Sequence, residues 1–213
     1  MKILFTRCFL LFFLISSSVF AVAETDTTSI GEGYLKKFLQ KTQTLKARFQ
    51  QTLRTHDGEV LQQTEGTFYL SRPGKFRWDY RTPYEQIIVS DGERIWIYDV
   101  DLQQVTVQRQ DVSLPASPMA LLEDSSKLYA NFNVTPLDER EGVYRLKLES
   151  KTSDTDFAEI VVGLDKEGLR FMQLHDQFEQ VTDIVFSDIS TNTKLSEDIF
   201  EFIPPEGVDV FGG

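Results

Sequence analysis

The sequence predicts a mainly β protein with a few helices, of the α+β class. Along several segments apolar and polar residues alternate, which is the two-residue period of a half-buried strand. Turn signals at Asp57-Gly58, Asp91-Gly92, Glu141-Gly142 and Glu167-Gly168 separate these segments, with no long helical pattern between them. Because short turns can join antiparallel strands but not parallel ones, this spacing predicts an antiparallel sheet.

The first 23 residues have the pattern of a secretory signal peptide. Lys2 and Arg7 precede an apolar run that begins at Cys8, and residues 21–23 (Ala-Val-Ala) form a small-x-small cleavage site. We expect the mature chain to begin at Glu24, to form one domain over residues 24–213 and to reside in the periplasm. The only cysteine would leave with the signal peptide, and no cysteine stands at the cleavage point to carry a lipid anchor.

The composition is acidic, with 22 Lys and Arg against 33 Asp and Glu. The formal charge is −11 for the whole chain, and removal of the two basic residues of the signal peptide makes it more negative still. Nucleic acid and anionic lipid headgroups would repel such a protein, so we expect no nucleic-acid partner and a freely diffusing monomer. An acidic surface that serves only solubility has the same composition.

The predicted elements begin with a helix and continue with strands. Ser29-Ile30-Gly31-Glu32 resembles a capping box, and Ile30, Tyr34 and Phe38 mark one apolar stripe of a helix that runs to about Lys41. Leu45, Ala47, Phe49 and Leu53 then follow a period of two. After the turn at Asp57-Gly58, further strand positions are Val60, Tyr144, Leu146, Leu148, Ile160, Val162, Leu164, Leu169, Phe171, Ile184 and Phe186, and Phe200 and Phe202 alternate until Pro204-Pro205 ends the pattern.

The segment from Gly66 to Gln108 is rich in aromatic residues and offers no arrangement for bond-making chemistry. Phe76, Trp78 and Tyr80 alternate with charged residues, which places three rings on one face of a strand. In the segment 95–98 (Ile-Trp-Ile-Tyr) both faces are apolar, so each needs a cover. The residues fit an ordinary two-layer core or a surface that holds an apolar ligand.

The segment from Leu114 to Leu122 interrupts the strand rhythm. Ser117 or Pro118 can open a short helix that carries Met119, Leu121 and Leu122. A short apolar helix between strands is typical of a lid.

Catalytic motifs are absent from the sequence. The two histidines, His56 and His175, lie in no HExxH motif, and the mature chain has no GxSxG, no P-loop and no cysteine nucleophile. The acidic pairs Asp99/Asp101 and Asp154/Asp156 lack the glycine and glutamate of a calcium loop. We therefore expect no enzyme, no metal and no cofactor.

Ordered motifs along nearly the whole mature chain resemble the LolA family of periplasmic lipoprotein carriers. They are the Phe49-Gln50-Gln51 strand, SRPGKFRWDY (71–80), IIVSDGERIWIYD (87–99), LQQVTV (102–107), SPMALL (117–122) and FEFIPPEGVDV (200–210). The resemblance implies an incomplete, strongly curved antiparallel barrel with a helical lid over a hydrophobic cavity. It also implies cargo received from an inner-membrane ABC transporter and delivered to an outer-membrane acceptor, with acylated lipoproteins as ligands.

The resemblance also implies roles for individual residues. Arg72 matches an arginine that bonds backbone carbonyls of the lid, here around Leu121 to Glu123, whereas on the residues alone it is a surface charge. Phe76 matches an aromatic at the cavity mouth, although plain core is an alternative. Gly74 stands where other members carry a polar side chain. The residues expected to contact the ligand are Arg72, Phe76, Trp78, Tyr80, Trp96, Tyr98, Met119, Leu121 and Leu122.

A second class of function fits the same half barrel. An exported lipid-sensing or lipoprotein-sensing regulatory module would bind the ligand as a signal and not as cargo. A further domain or an interaction tail would favour a sensor, and we expect neither because the sequence ends shortly after the Pro-Pro motif.

Overall fold

The computed structural model describes residues 27–110, 125–151 and 157–212. These residues form two α-helices, twelve strands and one short 3-10 helix. In chain order they are α1 (Thr27–Lys41), β1 (Thr44–Arg54), β2 (Val60–Ser71), β3 (Lys75–Thr82), β4 (Gln86–Asp91), β5 (Arg94–Asp99), β6 (Gln104–Arg109), α2 (Ser125–Asn131), β7 (Phe132–Arg140), β8 (Val143–Ser150), β9 (Phe157–Asp165), β10 (Gly168–Asp176), β11 (Val181–Thr191), the 3-10 helix (Glu197–Phe200) and β12 (Asp209–Gly212).

All strands belong to one open sheet with the order β12-β6-β5-β4-β3-β2-β1-β11-β10-β9-β8-β7. Neighbouring strands are antiparallel, as the short turns predicted, except that β12 runs parallel to β6. The sheet ends at β7 on one side and at β12 on the other, so it forms an incomplete barrel.

The sheet curls around its inner face. Trp78 on β3 and Phe186 on β11 are separated by two intervening strands, which corresponds to about 14 Å in a flat sheet. Their ring centroids are only 6.1 Å apart. The curvature therefore brings side chains of distant strands into one apolar cluster.

Helix α1 covers part of this inner face. Leu35, Phe38 and Leu39 are buried in the same cluster as the strand residues, and the helix contacts β7 to β10. Gly31 allows a close approach, since a Cβ at this position would lie 3.2 Å from the Cβ of Tyr144 on β8. The predicted helix is confirmed, but Ser29 lies inside it and not at its cap, because α1 begins by Thr27.

The four predicted turns are confirmed. Asp57-Gly58 joins β1 to β2, Asp91-Gly92 joins β4 to β5, Glu141-Gly142 joins β7 to β8, and Glu167-Gly168 joins β9 to β10. All four glycines have positive φ, between 81° and 131°, which is the reason for glycine there.

Two expected alternations are wrong. The pairing of β10 with β9 shifts between Leu169 and Phe171, so these residues do not share a face, and the ring of Phe171 lies against Gly163 instead. Phe200 ends a 3-10 helix, and the chain through Pro204-Pro205 is not a strand until β12 begins. A β-bulge accounts for the first difference. The second arises because the segment after Phe200 packs against β5 through Phe202 and is not paired as a strand. Neither feature is visible in local periodicity.

Within the described ranges, no helix is both long enough and apolar enough to span a bilayer.

Candidate functional site

The inner face of the half barrel is built by rows of residues that lie directly opposite one another on successive strands. One such row is Phe68 on β2, Trp78 on β3, Ile88 on β4 and Ile97 on β5. Directly paired residues point to the same face of a sheet, so the row is continuous across four strands. All four belong to or pack against the apolar core.

Five aromatic rings form the centre of this face. Phe49 packs edge-on against Trp78 at 4.8 Å and against Tyr80 at 5.0 Å, and Phe68 lies 4.3 Å from Trp78. Phe186 joins them from β11, 6.1 Å from both Phe68 and Trp78. Edge-to-face and tilted contacts at these distances are favourable, and they give a large apolar area with few rotatable bonds.

Gly66 is the position that makes room for the cluster. It is paired with Phe49 on one side and with Tyr80 on the other. A Cβ at Gly66 would lie 2.8 Å from the Phe49 ring and 2.0 Å from the carbonyl oxygen of Asp79. No side chain fits there without displacement of backbone.

Tyr80 brings a polar atom to the border of the aromatic cluster. Its hydroxyl lies 3.4 Å from Oε1 of Gln51. Burial raises the pKa of Tyr80 to about 12, because the phenolate would lose its hydration. At neutral pH the group is therefore an uncharged donor beside an apolar surface.

Arg72 ties the barrel to the end of helix α1. It lies in the β2–β3 turn, and its Nε donates to the carbonyl oxygen of Thr42 at 2.8 Å. Its backbone N–H donates to the carbonyl oxygen of Gln43 at 2.8 Å, and its guanidinium lies 5.7 Å from the centre of the Phe38 ring. The carbonyls around residues 121–123 that were expected to bond Arg72 lie outside the described residues.

Phe76 lies beside the Arg72 turn on the inner face. It is opposite Leu70 on β2 and Ser90 on β4, and it is 2% exposed. Phe76, Trp78 and Tyr80 therefore share one face, as the alternation predicted.

Trp96 and Tyr98 lie on the opposite face of the sheet from Phe76, Trp78 and Tyr80. On β5 it is Ile95 and Ile97 that take the inner face, and the two aromatic residues between them point outward. There both rings pack against Phe202, at 6.4 Å from Trp96 and 5.7 Å from Tyr98. The reason is the C-terminal segment, which covers the outer face of β5 and so supplies the second cover that this strand requires.

Met119, Leu121 and Leu122 lie outside the described residues, and so do residues 1–23. The inner face also contains Phe49 and Phe186, whose sequence pattern predicted strands but no part in the site. Their two-residue period was visible, but only the curvature shows that they meet Trp78.

The chemistry of this face is that of an apolar surface. In the described ranges no cluster of three or more His, Cys, Asp and Glu side chains could hold a metal ion. The polar groups at its border, Tyr80 with Gln51 and Arg72 with Thr42, make hydrogen bonds. The arrangement is able to exclude water from apolar groups and to hold one helix by a charged hydrogen bond.

An open antiparallel half barrel with an aromatic inner face and a covering helix defines the structural class. The model of the family "Outer membrane lipoprotein carrier protein LolA" matches residues 40–203. The chain belongs to this family. It is 41% identical over 211 residues to the outer-membrane lipoprotein carrier protein of Nitrosospira multiformis, with 99% of each chain covered. It is 44% identical over 177 residues to the carrier protein of Nitrosomonas europaea, which covers 83% of this chain and 86% of the relative.

A solved structure shares the fold. The crystal structure of an uncharacterized conserved protein from Thermus thermophilus superposes with a TM-score of 0.54 at 14% identity. The match covers 84% of this chain and 97% of that chain. This likeness shows the common half-barrel architecture.

Proposed function

We propose that the chain is a periplasmic carrier that shields the acyl chains of lipoproteins during transport between the two membranes. The observation that carries this proposal is the continuous apolar inner face, with rings from β1, β2, β3 and β11 in contact and with α1 packed on β7 to β10 in the same core. The family membership supports it, since relatives that cover most of the chain are named outer-membrane lipoprotein carrier proteins.

The need for such a surface follows from the hydrophobic effect. Each methylene buried in a membrane stabilises the bound state by about 0.8 kcal/mol, so one chain of about 15 methylenes contributes about 12 kcal/mol. A lipoprotein with several chains therefore does not leave a membrane for water at a useful rate. A carrier must replace the bilayer by an apolar surface of its own.

Cargo must displace the cover of the inner face, because Phe68 and Trp78 are almost fully buried in the structure. The contact of Arg72 with the carbonyl of Thr42 holds α1 against the barrel, and its release would let the helix move. In this proposal Met119, Leu121 and Leu122 belong to a lid that moves with it. The closed state then competes with cargo, which keeps binding reversible.

The partners follow from this role. An inner-membrane ABC transporter hands over acylated lipoproteins, and an outer-membrane acceptor receives them. Residues 1–23 act as the signal peptide, and residues 24–213 act as the carrier domain. The transfer is non-covalent and requires no bond cleavage and no cofactor of the carrier.

The two tryptophans of the chain offer a test with a built-in control, because Trp78 lies on the inner face and Trp96 on the outer face. Trp96→Phe leaves Trp78 as the only tryptophan, and Trp78→Phe leaves Trp96. A purified lipoprotein with brominated acyl chains should quench the fluorescence of the first variant and leave that of the second unchanged.

The same polypeptide without acyl chains serves as the second control and should quench neither variant. Equal quenching of both variants would place the acyl chains elsewhere. Absence of quenching in the Trp96→Phe variant, with binding verified by gel filtration, would mean that cargo is held without its acyl chains reaching the inner face.

A further inference from the structure

We propose that the turns at one edge of the sheet form a docking surface for a basic protein surface with apolar pockets. We call this edge the apolar rim and define it by Leu61, Tyr84, Leu102 and Phe178. The proposal rests on the exposure, order and charge of these turns and does not depend on the binding of acyl chains to the inner face.

The four residues share one edge because the sheet is antiparallel. The β1–β2, β3–β4, β5–β6 and β10–β11 turns all leave from the same ends of their strands. Side-chain and backbone contacts join neighbouring turns. Nδ1 of His56 lies 3.6 Å from Oε2 of Glu179, and the N–H of Val100 donates to the carbonyl oxygen of Glu85 at 3.2 Å.

Three turns of the rim each present a large apolar side chain to solvent, and Leu61 does so at the start of β2. Phe178 is 84% exposed, Leu102 70%, Tyr84 65% and Leu61 48%. At the opposite edge, the described turns at residues 72–74, 92–93, 141–142 and 166–167 carry no large exposed apolar residue. Exposed apolar side chains on a series of adjacent turns are typical of an interaction surface.

Two of the exposed apolar residues of the rim, Leu102 and Phe178, lie in turns that are held by hydrogen bonds. Oδ1 of Asp99 accepts the N–H of Leu102 at 3.0 Å. Oδ1 of Asp176 accepts the N–H groups of Phe178 and Gln180, both at 2.8 Å. Turns that are already ordered lose little conformational entropy when a partner binds.

The charge of the rim selects the kind of partner. The rim turns, counted with the strand residue on either side (54–60, 82–86, 99–104 and 176–181), contain seven carboxylates and one Arg, Arg54, whose Nε lies 3.4 Å from Oδ2 of Asp183. Each turn of the opposite edge (residues 71–75, 91–94, 140–143 and 165–168) contains at least one Lys or Arg. An anionic bilayer would repel the rim, whereas a basic protein surface would attract it. Apolar pockets on that surface would bind the exposed rings and Leu102.

Matched double variants test the proposal. Leu102→Ser/Phe178→Ser removes two of the exposed residues of the rim. The control, Leu137→Ser/Val185→Ser, removes two exposed apolar residues, 45% and 53% exposed, that lie within β7 and β11 and outside the rim turns. The probes are right-side-out inner-membrane vesicles, outer-membrane fragments, the same membranes after trypsin treatment, and protein-free liposomes of the extracted lipids. Binding of the mature protein is measured by sedimentation at low salt.

We expect wild type to bind at least one native membrane, and we expect trypsin treatment of that membrane to abolish binding. The rim variant should bind at least tenfold more weakly, and the Leu137/Val185 variant should bind within twofold of wild type. Asp101→Lys/Glu179→Lys should weaken binding to native membranes and strengthen binding to liposomes. Higher salt should weaken the wild-type interaction, because exposed charges are screened.

Several results would overturn the proposal. Equal binding to liposomes and native membranes would identify lipid as the occupant, and wild-type affinity in the Leu102/Phe178 variant would show that the rim is not used. Failure of wild type to bind any native membrane would also refute it. Loss of a dimer in the rim variant during analytical ultracentrifugation would make the rim a contact between copies of this chain.

Discussion

Replacement of Arg72 by Leu removes the charged link between the barrel and helix α1. In the structure this link is a hydrogen bond of 2.8 Å from Nε to the carbonyl oxygen of Thr42, with the guanidinium 5.7 Å from the Phe38 ring. Both contacts join the β2–β3 turn to the end of the helix. The proposed carrier cycle makes these contacts in the closed, empty state and breaks them when cargo enters.

The size of the effect follows from the geometry. A distance of 2.8 Å is that of a charge-assisted hydrogen bond, whose net contribution is about 1.5 to 3 kcal/mol. Since about 1.4 kcal/mol corresponds to a tenfold change in an equilibrium constant, the variant should favour the open state by about ten- to hundredfold. The contact with Phe38 acts in the same direction. Loading should therefore survive, whereas release to the acceptor should slow by a similar factor.

A two-step assay measures both halves of this prediction. Labelled lipoprotein is first released from inner-membrane vesicles into solution by the carrier and is then delivered to the purified acceptor. Arg94→Leu is the matched control, because Arg94 is an exposed arginine at the same edge of the sheet. A folded Arg72→Leu protein that delivers cargo as fast as wild type and Arg94→Leu would show that the contact with α1 does not hold the cavity closed.

Three further predictions concern stability and processing. Gly66→Ala should destabilise the fold by about 1 to 3 kcal/mol or more, because the new Cβ would overlap a backbone carbonyl. At Gly33 a Cβ meets nothing within 4 Å, so Gly33→Ala should stabilise α1 by about 0.5 to 1 kcal/mol. Urea unfolding measures the free energy of unfolding of both variants. The pKa of Tyr80 is about 12 in the folded protein against 10.0 when unfolded, so the stability from its burial is complete below pH 10 and is lost as pH rises to about 12. Unfolding in that pH range should show a smaller loss in Tyr80→Phe, and an equal loss would contradict the assignment. Intact mass of the periplasmic form should show a chain that starts at Glu24 without a thiol, and retention of residues 1–23 would refute the signal-peptide assignment.

Sequence periodicity and turn residues predicted those features that depend on neighbouring residues in the chain. The helix to Lys41, the four glycine turns and the shared face of Phe76, Trp78 and Tyr80 follow from periodicity and turn chemistry. These features depend on residues near one another in the chain, and the structure confirms them.

Features that depend on distant contacts were not predictable in this way. Both faces of β5 are apolar, so the sequence did not decide whether Ile97 or Trp96 faces inward. The decision comes from Phe202, which lies far along the chain and covers Trp96. The contact of Arg72 with Thr42 likewise depends on how α1 meets the barrel, and no motif specifies it. The parallel pairing of β12 with β6 is a third case of the same kind.

The measurement that bears most directly on the carrier role is the identification of what the mature protein binds in the periplasm. The protein is purified without detergent from a strain with active lipoprotein export, and the bound molecules are identified by intact mass spectrometry. We expect wild-type protein to carry lipoproteins that retain all their acyl chains. A folded variant that lacks two rings of the aromatic cluster, Phe49→Ser/Phe68→Ser, should be recovered without bound lipoprotein. Recovery of wild-type protein without any acylated lipoprotein from such a strain would contradict the carrier role.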